Sequence, residues 1–151
     1  MRSILLAVAA ACLFVSCGNS GGGKDDGLKE KASALEKEVL EGHDVAMPKA
    51  MKIPDIQKEV NRLMDSVERL PAQAKEAAAP FKAKLEKLTE DLSYANMAMD
   101  KWMTEFGLDS FKSNLEQRIK YLSEEKLKVE KVKEAVLNSL AKADSVLKKK
   151  F

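Results

Sequence analysis

The chain has 151 residues, with 26 Lys and Arg against 24 Asp and Glu and one histidine, so it carries no field that would draw nucleic acid or an anionic surface to it. It is 33% charged and only 5% aromatic, with Ala, Lys, Leu and Glu dominant. That mixture belongs to long helices or coiled coils and not to a compact enzyme core.

The first 17 residues, MRSILLAVAAACLFVSC, place Arg2 ahead of an apolar run from Ile4 to Val15. The run is about a dozen residues, short of the roughly 20 that a helix needs to cross a bilayer, so residues 1–16 read as a signal peptide. Its end, FVSC, resembles a bacterial lipobox, with apolar Phe14, small Ser16 and then Cys17. The resemblance implies cleavage before Cys17, lipidation of its sulfur and attachment to a membrane. Cys12 leaves with the leader, so the processed chain has no disulfide to rely on and must hold together by packing. Residues 17–27 contain five of the seven glycines and read as the lipidated cysteine and a flexible tether. Within it, Lys24 to Asp26 resembles the basic-then-acidic export tags of Bacteroidota surface lipoproteins. The resemblance implies an outer-membrane lipoprotein facing the periplasm or the cell surface.

From Leu28 onward apolar residues recur at steps of three and four. The first stripe runs Leu28, Ala32, Leu35, Val39, then Ala46, Ala50, Ile53, Ile56, Val60, Leu63, Val67 and Leu70, with Gly42 or His43 in the one missing position. It predicts a helix over 28–70, kinked near 48–54 by Pro48 and Pro54 or split there. The LPAQ stretch from Leu70 stops it, because proline disfavours a helical residue before it. A strict heptad seam, Phe81, Leu85, Leu88, Leu92, Ala95, Met99, Trp102 and Phe106, predicts a second helix over 73–106. Gly107 suits a left-handed cap after it. The SNLE stretch from Ser113 matches a capping box, with Asp109 or Ser110 as earlier starts. The third helix, 110–150, shows Leu115, Ile119, Leu122, Val129, Val132, Val136, Leu140, Ala143 and Leu147, interrupted by Glu125 and Lys126. Lys148 to Lys150 place cations at its carbonyl end.

No stretch alternates with period two. The chain is predicted to be all-α, an elongated antiparallel three-helix, coiled-coil-like bundle over 28–151 behind the signal peptide and tether. Helix one overhangs its neighbour by about ten residues at 1.5 Å each. That leaves Leu28, Ala32 and Leu35 open to an envelope protein partner or to self-association.

HDVAMPKAM, residues 43–51, holds the only histidine. Folding helix two back on helix one brings the second methionine cluster, residues 96–103, opposite it. One slab is predicted to hold His43, Met47, Met51, Met99, Trp102 and Met103, with Met97 pointing away. Histidine and thioether suit copper(I) or a haem iron, with His43 and Met47 joined by Met99 or Met103. Alternatively, the methionines fill an irregular gap beside a proline kink, with His43 hydrogen-bonded at its edge and no cofactor bound. A ligand or protein groove at the kink is the third reading. There is no Cys-x-x-Cys-His and no second histidine for a zinc motif, nor a visible phosphate loop or oxyanion turn, so a non-enzymatic protein is expected.

His43, Asp44, Met47, Pro48 and Lys49, together with Met99, Trp102, Met103 and Phe106, resemble the two signatures of a group of small Bacteroidota lipoproteins often labelled "viral A-type inclusion protein". Residues 121–144 resemble their closing helix. Lys101 and the loop after Phe106 diverge from the group. The resemblance implies an envelope helical bundle and carries no established activity.

Overall fold

The computed structural model describes residues 22–148. The signal peptide, Cys17 and the last two lysines of the terminal triplet lie outside the described residues. Four helices follow in order: α1 (Gly22–Ala50), α2 (Ile53–Glu68), α3 (Ala72–Glu105) and α4 (Leu115–Leu147), with no strand among the described residues. The protein is an all-α helical bundle.

The first arm departs from expectation at its start and resolves an open choice farther on. Helix begins at Gly22, so Gly22 to Gly27, predicted as tether, are its opening turns, with Asp25 complementing the positive end. Extending an established helix into a glycine costs only about 1 kcal/mol per residue. Farther on, of the kink and the split offered for 48–54, the split is the one found. Pro54 offers no N–H to the carbonyl of Ala50, so the α1 ladder ends at Ala50, while the same proline suits an early position of α2, where no N–H is needed. Met51 and Lys52 form the turn, donating to the carbonyls of Met47 at 3.0 Å and Lys49 at 3.1 Å. Pro48 stays inside α1, so the break falls after it.

The break redirects the arm. α1 packs chiefly along α4, α2 along α3, and α3 along α4. The cross-links fix the directions: Glu36–Arg118 and Glu38–Lys126 set α1 parallel to α4, Gln57–Ser93 and Glu68–Lys82 set α2 antiparallel to α3, and Asp91–Lys142 sets α3 antiparallel to α4. At 34 residues, α3 is about 50 Å long.

The stripes meet in one core. Val39, Ala46, Ile53, Ile56 and Val60 face Leu85, Leu88, Leu92, Ala95, Met99 and Trp102 from α3 and Leu122, Val129, Val136, Leu140 and Ala143 from α4. Each fully buried Leu, Ile or Val contributes roughly 1.5–3 kcal/mol. Gly42 fills the missing seam position for want of space: a Cβ there would lie 2.9 Å from Val129 Cγ1, so α1 and α4 approach as closely as glycine allows. The expected overhang is covered at Ala32 and Leu35, while Leu28 stays outside the core. Ala32 is buried and Leu35 packs against the core, because α4 starts alongside α1 and the 106–114 loop folds over it.

The loop also corrects two cap assignments. Asn114, not Ser113, caps α4, its Oδ1 accepting from the Gln117 N–H at 3.0 Å. Among the described residues no glycine takes the left-handed conformation; Phe111 does, at φ 59°. At Gly107 a Cβ would meet the Ser110 hydroxyl, which can rotate aside, so the position favours a small residue without demanding glycine. Lys148 closes α4 in the left-handed region.

Candidate functional site

Around the start of α4 the core changes character. Four rings follow one another from α1 to the loop: His43 to Trp102 at 5.7 Å between centroids, Trp102 to Phe106 at 4.9 Å, and Phe106 to Tyr121 at 6.2 Å. The last two pairs are near parallel, at 15° and 5°, and the Phe111 ring tilts onto Tyr121 at 5.7 Å. Such contacts add about 0.5–1.5 kcal/mol each beyond the area they bury.

Two charged side chains are buried beside the rings. Glu125 is 3% exposed; its Oε2 accepts from the Trp102 indole N–H at 3.0 Å and its Oε1 from Lys128 Nζ at 2.7 Å. The Glu125 hydrogen bond is also the main reason the Lys128 ammonium is held above its ordinary pKa, and the carboxylate's charge adds to it. Arg118 is 5% exposed and donates to three groups: the carbonyl of Leu108 at 3.1 Å, that of Ser110 at 2.8 Å and Glu36 Oε2 at 2.6 Å. Tyr121 receives the Gly107 N–H on its hydroxyl at 2.7 Å. Every buried side-chain nitrogen and oxygen among the described residues has a partner. One guanidinium therefore ties the α3–α4 loop to both α4 and α1, and one carboxylate fixes the tryptophan.

The predicted cluster is only partly gathered. His43 and Trp102 are neighbours, as the fold-back placed them. Met99 is fully buried and Met47 packs against the core. Met51 is 69% exposed on the α1–α2 turn and Met103 is on the solvent side of α3. The slab thus loses both: the helix break swings Met51 outward, and Met103 sits one residue, about 100° of helix, past Trp102. Met97 is exposed as expected. His43 is half-buried, with Nδ1 3.0 Å from Asp44 Oδ1. Of the proposed soft-ligand set, His43, Met47 and Met99 remain near the core while Met103 does not. Among the described residues no group of three or more His, Cys, Asp and Glu side chains is placed to hold a metal ion.

Chemically, the cluster's polar groups are committed inward. Trp102 and Lys128 donate to Glu125, Arg118 donates to the loop carbonyls and Glu36, and the Ser123 hydroxyl donates to the Ile119 carbonyl of its own helix. The arrangement rigidifies one end of the bundle and displays a shaped surface. Arg118, Glu125, Tyr121, Phe111 and Glu36 escaped the sequence reading. The one available signal was Glu125 itself, a carboxylate standing where the α4 stripe needs an apolar residue.

Comparison with protein-family models, with curated proteins and with solved structures finds no match.

Proposed function

We propose that the protein is a lipid-anchored helical bundle of the bacterial envelope, an outer-membrane lipoprotein that acts as a non-enzymatic structural or protein-interaction module. The observation that carries this reading is the FVSC stretch ending at Cys17 behind a short apolar leader, five positions ahead of the first residue of α1. No helix among the described residues is long and apolar enough to cross a membrane, so attachment rests on the lipidated cysteine. The resemblance to small Bacteroidota lipoproteins supports the same reading. The body supports an interaction role because α1 leads directly into a fully packed bundle. Its loop end is braced by Arg118 and presents Leu108 and Phe111 to solvent.

The test is metabolic labelling with a clickable fatty acid in a Gram-negative host, followed by fractionation. The wild-type chain is expected to take up label and sediment with the outer membrane, and Cys17→Ser to do neither. Equal labelling and sedimentation of the two would overturn the proposal.

A further inference from the structure

A groove of about 400 Å³ runs along the α3–α4 seam on the outer side of the bundle. Its floor is Trp102, Ala98 and Val132, and its α3 wall is Tyr94 and Met97, large apolar side chains off the buried stripe that are 59% and 61% exposed. The indole N–H of Trp102 is already spent on Glu125, so the floor asks nothing polar of an occupant. The rim does. Lys101, Lys128 and Lys131 stand around it against a single carboxylate, Glu105. Lys128 is bound to Glu125 and Lys101 reaches Glu105 at 3.8 Å, which leaves Lys131 without a carboxylate partner among the described residues. An apolar trough with an uncompensated cation at its lip is complementary to a molecule that is apolar along its length and anionic at one end. The volume lies within the roughly 300–1,000 Å³ of small-molecule sites.

We propose that the α3–α4 groove binds a single-tailed carboxylate amphiphile, its chain laid on Met97, Ala98 and Val132 and its carboxylate on Lys131. This site goes beyond the anchoring role and does not depend on it.

The test uses the full chain carrying Cys17→Ser, so that no attached acyl group competes, and titrates it with laurate below its micelle concentration while following the fluorescence of Trp102, the only tryptophan. Saturable 1:1 binding is expected. Dodecanol, with the same chain and no charge, should bind at least about tenfold more weakly, and Lys131→Glu should weaken laurate by about tenfold, since one charge-assisted contact is lost. Lys120→Glu, about three turns away on α4, should leave binding unchanged. Four results would each overturn the proposal: no response to laurate, equal binding of laurate and dodecanol, laurate affinity unaffected by Lys131→Glu, or a dimer that Met97→Glu dissolves in a chain that ignores laurate. The last would assign the groove to a second copy.

Discussion

Where α2, the first half of α3 and the second half of α4 meet, the core is aliphatic: Ile56, Val60, Leu85, Leu88, Val136 and Leu140. At the other end, where α1 meets the end of α3 and the start of α4, it is built around Trp102 with Glu125 and Arg118 buried alongside. The first kind of packing is non-directional and tolerates small changes of shape. The second is directional: Trp102 and Glu125 are buried partners, so taking one away strands the other, and Arg118 holds two loop carbonyls at once. The lesson is that one continuous seam can be forgiving at one end and intolerant at the other.

The comparison breaks most readily at Trp102. Trp102→Ala should cost about 3–5 kcal/mol in urea unfolding, because it empties a buried aromatic site and also removes the donor to Glu125. A loss below about 1 kcal/mol would mean that the ring is not part of the core. Arg118→Met should cost less, about 1–3 kcal/mol, by leaving the Leu108 and Ser110 carbonyls and Glu36 without their donor at a place water can partly reach. A paired design sharpens the contrast. Trp102→Phe alone should cost about 1–3 kcal/mol, while adding Glu125→Leu should recover most of it, because replacing both partners by apolar groups removes the stranded acceptor. Gly42→Ala should destabilise by about 1–3 kcal/mol through overpacking, and Val129→Ala in the same chain should relieve part of that loss.

The smallest effect belongs to the aliphatic end. Asp91 accepts from Lys142 at 2.6 Å and pairs with Lys87 at 3.2 Å. The Lys142 hydrogen bond, with that of Lys87 and the charges of both, holds its carboxyl below the ordinary 3.8. A carboxylate lowered on folding adds stability above its unfolded pKa and loses it as pH falls through the folded one. Asp91→Asn should therefore lower stability near neutrality by under about 1 kcal/mol. The gap in melting temperature between variant and wild type should close as pH falls from about 5 to about 2. A gap that widens on acidification would reverse the assignment.

Much of the fold was legible because the α3 seam repeats at steps of three and four; six of its eight positions, Leu85 through Trp102, are buried. The neighbourhood of His43 and Trp102 followed from the turn position alone. The helix break was visible as Pro48 and Pro54, but which of them wins depends on what the next helix packs against, and that choice carried Met51 to solvent. The ionic partners were not legible for a plainer reason. Glu36 and Arg118 are 82 positions apart, and nothing local marks either as buried. Glu125 broke the stripe in plain view, yet a break in a stripe reads as weakness until Trp102 is seen to need an acceptor there.

The claim on which the rest depends is that Arg118 organises the loop end as a local unit of an otherwise aliphatic bundle. Native-state amide exchange of Arg118→Met tests it most directly. Protection should fall by about a hundredfold in residues 106–114 and the first turn of α4, equivalent to roughly 2.8 kcal/mol, and by clearly less in α2 and the middle of α3. A uniform loss across all four helices, or no loss in the loop, would contradict it.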